Sequence, residues 1–206
     1  GIVENVSTGI QIPIIEKKSV DYRLGGAANV AANVAGLCRN VTLISRCADD
    51  DAGSIVKKLC SSYHVNLANF GTEKTTVKQR IYIDNQQVSR IDSIAYTETI
   101  KNELMSILSS QTIDFVIIAD YLYGVISQEV LDITTSFCEK KGIPIFYTSR
   151  NLNQFEITDY PIVVVNMNEW NQWKKSSRYE KAFITKGNNG ICYKFGKEIV
   201  ERMANK

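Results

Sequence analysis

Histidine is nearly missing from this chain: His64 is the only one in 206 residues. It stands between Tyr63 and Val65 with no partner motif, which gives no footing to imidazole-based catalysis or metal binding. No C-x-x-C pair occurs either, and the five cysteines (Cys38, Cys47, Cys60, Cys138 and Cys192) are odd in number and widely scattered. That pattern excludes a zinc site or a disulfide framework; four of the five lie in or beside apolar stretches, where a free thiol acts as a small buried hydrophobe. No apolar run approaches the roughly 18 residues of a membrane span and no signal peptide opens the sequence, so no membrane contact is expected. The net charge of +2 is not gathered into any long block of one sign, which removes the reason to expect a nucleic-acid partner. Repeats, low-complexity tracts and long linkers are also missing. What remains is an ordinary globular composition, 44% hydrophobic and 22% charged, sized for one core and suited to a reducing cytoplasm.

Within that composition, apolar β-rich runs alternate with helical ones, the signature of βαβ units on a parallel sheet. Asp114 to Ala119 is a continuous apolar strand of the kind buried on both faces, between helical segments at Ile100 to Leu108 and Ser127 to Lys140. Gly142 marks the end of the second helix, and Pro144 to Tyr147, Ile162 to Val165 and Ala182 to Thr185 read as further strands. The fold class is α/β. Two segments read differently: Ile12 to Val20, and Thr76 to Asp92 with its Asp84-Asn85 turn, look like exposed strands and a hairpin.

The most informative stretch is Leu24-Gly25-Gly26-Ala27-Ala28-Asn29-Val30-Ala31-Ala32-Asn33-Val34-Ala35-Gly36-Leu37. Paired glycines let a ligand approach the main chain and lead straight into a helix with free N–H donors at its start. Ala27, Val30, Ala31, Val34 and Ala35 share one face, with Asn29 and Asn33 one turn apart on another. A glycine turn before a packed helix with solvated asparagines explains the same letters. Downstream come a strand at Val41 to Ser45 and then Asp49-Asp50-Asp51-Ala52-Gly53. In that order the segments resemble the ribokinase (PfkB) family of carbohydrate kinases. Gln86-Gln87, Arg90 and Asp92 within Arg80 to Asp92 are similar to the Asn-Gln-Gln-x-x-Arg-x-Asp string of its D-glycero-β-D-manno-heptose 7-phosphate kinase branch, the kinase part of bifunctional ADP-heptose synthesis proteins.

The resemblance implies a ribokinase-like domain: a mainly parallel central sheet flanked by helices, with a small projecting β lid from strands near 10–22 and 76–92. It also implies ATP and Mg2+, a sugar or sugar-phosphate substrate, and a homodimer through the lid. Gly25, Gly26, Asn29, Arg90, Asp92 and Asp120 are the implied substrate contacts. Asn166, Glu169, Thr185, Lys186 and Gly187 are the implied nucleotide contacts, with Glu169 organising the metal. Each has a plain structural alternative: Asp120 as a cap after a buried strand, Asn166 with Glu169 as a capping box, and Gly187 with Gly190 as a hairpin turn. Trp170 and Trp173, at i and i+3, read as a packed helix face.

Several family features are replaced or not found. Tyr123 stands where the heptose kinases carry lysine, and Thr148-Ser149-Arg150 where they carry Asp-Pro-Lys. The opening Gly-Asp strand and the closing Gly-Ala-Gly-Asp, whose Asp is the family's base, do not occur among the 206 residues, and the passage from Trp170 to Ala182 is short. The expectation is therefore a single, incomplete ribokinase-like domain over 1–206 from an ATP-dependent sugar-phosphate kinase. The alternatives are a non-catalytic sugar- or nucleotide-binding homologue, or a kinase for another sugar or a nucleoside.

Overall fold

The computed structural model describes residues 3–6 and 13–203. β1 (Val3–Val6) pairs antiparallel with β2 (Pro13–Ile15). Residues 16–24 form no regular element: Glu16 to Arg23 are exposed and rich in charge, and Leu24 is buried against α1 and its neighbours. Of the lid strand expected near 10–22, Pro13–Ile15 is a strand and residues 10–12 lie outside the described residues.

α1 (Gly26–Ala35) starts at the second glycine, which takes φ +55°. Of the face expected from periodicity, Ala27, Ala31 and Ala35 pack into the adjoining core cluster, joined by Ala28 and Ala32, while Val30 and Val34 are half-buried outside it. Methyl-only side chains let the helix lie close to Leu43 and Val65 of the parallel pair β3 (Val41–Ser45) and β4 (Val65–Asn69). Between those strands runs α2 (Asp51–Ser62), capped by Asp50, whose carboxylate accepts from the N–H of Gly53 at 2.7 Å and of Thr75 at 2.9 Å. β5 (Val77–Ile83) and β6 (Gln86–Ser93) follow as a hairpin that forms its own two-stranded sheet. Asp84 and Asn85 turn it with φ of 47° and 65°, the twist that antiparallel strands favour.

α3 (Lys101–Ser110) then leads to the main sheet. β7 (Val116–Asp120), β8 (Ile145–Ser149), β9 (Ile162–Asn166) and β10 (Lys181–Thr185) run parallel, and β11 (Ile191–Phe195) and β12 (Glu198–Arg202) continue the sheet antiparallel beyond β10. α4 (Gln128–Lys141) is fixed at both ends, by Ser127 accepting from the N–H of Val130 and by Gly142 at φ +69°. α5 (Met167–Gln172) is short. One face of the sheet makes the largest core: Ile118, Ile145, Tyr147, Val163, Val165, Ala182, Ile184 and Cys192 meet Leu131 and Cys138 of α4, with Trp173 and Tyr179 beyond α5. All five cysteines are free thiols, four of them buried, and burial pushes the Cys138 thiol up to about 11. Among the described residues no helix is long and apolar enough to cross a membrane.

The β3–β4 pair is not hydrogen-bonded to the six-stranded sheet; Arg46 helps to join them. Its guanidinium donates to the carbonyls of Phe70, Gly71, Glu98 and Thr99 and, at 3.0 Å, to Glu103 Oε1 on α3. Replacing it strands four carbonyls and a carboxylate together, so Arg46→Ala is expected to cost about 3–5 kcal/mol in urea denaturation. A loss below 1 kcal/mol would show that the apolar contacts alone hold the two units together.

Candidate functional site

The carboxyl ends of β7, β8, β9 and β10 lie along one edge of the sheet, where parallel α/β folds place their ligands. Asp120 ends β7 and is 4% exposed. One carboxylate oxygen accepts from the N–H of Leu122 at 2.8 Å and the other from the Ser149 hydroxyl at 3.1 Å. Burial raises its pKa, against those two hydrogen bonds. The loop it organises is tight: Leu122 has φ +63°, and Gly124, at φ +99°, leaves a Cβ no room because Thr97 O lies 2.0 Å from where that atom would sit.

Tyr121 is the hinge of the arrangement. Its ring lies 3.5 Å from the position of a Cβ on Gly26, so the glycine turn of α1 packs directly on the loop after β7. On another side, the Arg150 guanidinium stands 5.1 Å from the same ring. Asp120, Tyr121, Ser149, Arg150 and Glu169 line a cleft of about 210 Å³. Gly25 and Asn29 are exposed nearby on α1, and Asn33 donates back to the carbonyl of residue 29.

A second, more open cleft of about 470 Å³ adjoins it, lined by Asn166, Asn168, Thr185, Lys186 and Gly187 among others. Asn166 and Glu169 form a complete capping box: Asn166 Oδ1 accepts from the Glu169 N–H, and Glu169 Oε2 from the Asn166 N–H, both at 2.9 Å. The structural alternative weighed from sequence is thus realised, and it leaves Glu169 Oε1 and the Asn166 amide nitrogen for a ligand. Thr185 donates to Val165 O, and Lys186 is paired with Glu201 of β12 at 2.5 Å. Gly187 takes φ +59° in a short 3-10 turn. The described residues hold no cluster of three or more metal-ligating side chains.

Arg90 and Asp92 lie on the hairpin, joined to each other at 3.0 Å, and are not among the residues lining either cleft. The expected substrate residues therefore fall in two places, the Gly26–Tyr121–Asp120 contact and the hairpin. His64 lines neither cleft and follows the end of α2 at φ +58°. Trp173 is buried, edge-on to Trp170 and against Tyr179, as a packed face requires. Ser149 and Arg150 are the site residues that sequence reasoning did not select; their place immediately after a buried strand is the signal that marks them.

A family model described as pfkB family carbohydrate kinase matches residues 6–198. The chain belongs to that family. Bifunctional protein HldE from Citrifermentans bemidjiense is 30% identical over 155 residues, 70% of this chain and 31% of that protein. D-beta-D-heptose 7-phosphate kinase from Bordetella bronchiseptica is 31% identical over 133 residues, 62% of this chain and 42% of that protein. The chain spans about a third of the length of the bifunctional relatives it matches. Among solved structures, a carbohydrate kinase from Agrobacterium tumefaciens superposes with a TM-score of 0.66 at 15% identity, covering 90% of this chain and 69% of that one; this agrees with the ribokinase-like fold.

Asp120 yields a pH test. Its folded pKa is raised, so holding the ionised form buried subtracts stability above that pKa, and the penalty disappears below the ordinary carboxylate value. An Asn at this position keeps an acceptor for Leu122 and offers a donor to Ser149. Asp120→Asn is expected to be at least as stable as the parent at pH 8 and to lose any advantage at pH 3.5, as read by thermal melts. A variant less stable than the parent at pH 8 would mean that the negative charge itself holds the loop.

Proposed function

We propose that this chain is the kinase part of an ATP-dependent sugar-phosphate kinase that phosphorylates heptose 7-phosphate to the 1,7-bisphosphate in lipopolysaccharide precursor synthesis. One observation carries this reading: the glycine turn of α1 and the Asp120 loop meet through Gly26 and Tyr121, beside the Asn166–Thr185 cleft at the same end of the sheet. Phosphoryl transfer requires two substrates aligned end to end and charge stabilisation between them, with little covalent help from the protein. The arrangement supplies adjoining pockets for the two.

In this reading Gly25, Gly26 and Asn29 lie against the sugar, and Asp120 accepts from a sugar hydroxyl. Asn166, Thr185 and Gly187 border the nucleotide, and Lys186 reaches its phosphates after leaving Glu201. The one free carboxylate oxygen of Glu169 would hold Mg2+, which takes the rest of its shell from water and phosphate oxygens, and the Asn166 amide N–H would donate to a phosphate oxygen. When bound, the ion neutralises charge on the phosphates being separated. Arg150, 5.1 Å from the Tyr121 ring, brings a cation to the Asp120 cleft. The family's base is not among these residues, so no step is assigned to one. A cytoplasmic location belongs to the same reading.

The decisive measurement is coupled ADP release from the full gene product with ATP, magnesium and a panel of sugars and sugar phosphates. Turnover of heptose 7-phosphate above the other sugars is expected; no turnover with any of them would leave the binding homologue as the better reading. Asn29→Ala should weaken sugar binding by about 1–3 kcal/mol in calorimetry, because a buried hydroxyl loses its partner. Unchanged affinity would return that helix to a packing role.

The same proposal includes a homodimer through the hairpin. The face opposite Lys78 and Arg80 carries Val77, Ile81 and Ile91, with Val77 39% and Ile91 54% exposed. Apolar side chains on a two-stranded sheet have little to cover them except a second copy. Light scattering at micromolar concentration should give a dimer for the parent and a monomer for Ile91→Glu; a parent monomer would remove the lid from the assembly.

A further inference from the structure

One polar atom deep in the main sheet lacks a partner. Tyr147 is wholly buried, yet its phenol oxygen makes no hydrogen bond. β7 and β8 pair with Ile118 opposite Tyr147 and Asp120 opposite Ser149, so these four side chains share the core face of the sheet. Burial pushes the phenol up to about 12, the hydroxyl of Ser149 pulls it back through hydrogen bonding, and the charge of Asp120 adds to the rise. The phenol thus lies close to Ser149 and within the field of Asp120. Ser149 has a site open for it. Its hydroxyl donates to Asp120 Oδ2 at 3.1 Å and accepts from the Asn151 N–H at 3.2 Å, whereas a hydroxyl can accept twice.

We infer that Tyr147 is a positioning residue: its phenol donates to the open lone pair of Ser149, and the chain Tyr147–Ser149–Asp120 holds the Asp120 carboxylate aimed at the cleft. This rests on the kinase reading only in giving Asp120 a sugar hydroxyl from which to accept. No proton changes owner along the chain; each hydroxyl shares its hydrogen with the next oxygen. A hydroxyl that receives a hydrogen bond donates a stronger one, so the phenol reinforces the contact that Ser149 makes with the carboxylate. Asp120 needs that support, because burial favours its neutral form and only the Leu122 N–H and Ser149 oppose it. The relay is a property of this chain. Proline, which the heptose-kinase pattern carries at the Ser149 position, has no hydroxyl to link the phenol to Asp120.

Tyr147→Phe keeps the ring and removes only the oxygen. Carboxyl 13C NMR of the full protein, without ATP or sugar, follows Asp120 independently of any turnover. Tyr147→Phe should move the Asp120 titration upward by a few tenths of a pH unit, as a lost polarising bond requires. Ser149→Ala should move it further, and Tyr147→Phe added to Ser149→Ala should move it no more. Arg150 and Glu169, the other charged side chains lining the cleft, are the same in every variant. Thermal melts supply a second sign. Because the folded Asp120 pKa rises further without the phenol, Tyr147→Phe should lose stability against the parent as pH rises through that titration, and the gap should narrow below the ordinary carboxylate range. A phenol that merely lacks a partner gives the reverse, a variant at least as stable as the parent at every pH. That result would overturn the inference, as would an Asp120 titration unmoved by Tyr147→Phe or a shift that persists without Ser149; each leaves the kinase reading standing. Conversely, the Ser149-dependent shift in a protein that turns over no sugar would sustain the relay and end the kinase reading.

Discussion

Much of this architecture depends on a single part-buried cation. Arg46 follows the last residue of β3, and its guanidinium engages two loops and a helix at once: Phe70 and Gly71 after β4, Glu98 and Thr99 before α3, and Glu103 within α3. A planar fork of five donors can meet such a set, whereas an ammonium offers only three. The consequence is spatial. Phe70 and Ile44 pack with Ile100, Leu104 and Val130, so fastening the segment before α3 also seats α3 on α4 and hence on the main sheet. Thr97 belongs to that segment, its N–H donates to Tyr123 O, and Gly124 abuts its carbonyl. The loop that carries Asp120 and Tyr121 is thereby braced through a chain of contacts leading back to Arg46.

The parts of the fold legible in sequence are those where local and tertiary preferences agree. Ser127 and Gly142 bound α4 because cap chemistry is read from single residues, and Asp84-Asn85 turns the hairpin because both residues tolerate positive φ. The packed face of α1 was less legible. Periodicity picks out Ala27, Ala31 and Ala35 together with Val30 and Val34, but the core cluster takes the alanines, with Ala28 and Ala32 added, and leaves the valines outside it. β12 escaped notice because Glu198, Glu201 and Arg202 give it little apolar patterning; it exists by pairing with β11. The candidate site was legible as motifs in order, not as geometry. Nothing local announces that Gly26 meets Tyr121 or that Ser149 holds Asp120.

The Asn166-x-x-Glu169 segment shows why a choice between a cap and a ligand site can be a false one. Capping uses one oxygen of each side chain and fixes both rotamers, which gives the remaining Glu169 oxygen and Asn166 amide defined directions into the clefts. A free glutamate at that position would lose rotamer freedom on binding a hydrated cation. A capped one has already lost it through helix formation. The same residues that end a strand and start a helix are therefore suited, for that reason, to present an oxygen at the sheet edge.

The departures from the heptose-kinase pattern point the same way once their contacts are known. Ser149, in place of a proline, supplies the hydroxyl that satisfies Asp120, and the Arg150 N–H donates to the Asp120 carbonyl. Arg150, in place of lysine, keeps a positive charge at this edge and anchors it against Tyr121. Tyr123 removes a lysine from the loop, yet Lys78 reaches over its ring from the hairpin and Tyr96 packs edge-on to it. Arg150 and Lys78 thus bring cations to this loop from two different elements, with Arg80 and Arg90 adjacent on the same hairpin face as Lys78. Positive charge around the Asp120 loop therefore comes from two separate elements, the sheet edge and the hairpin, so that no single residue has to deliver it.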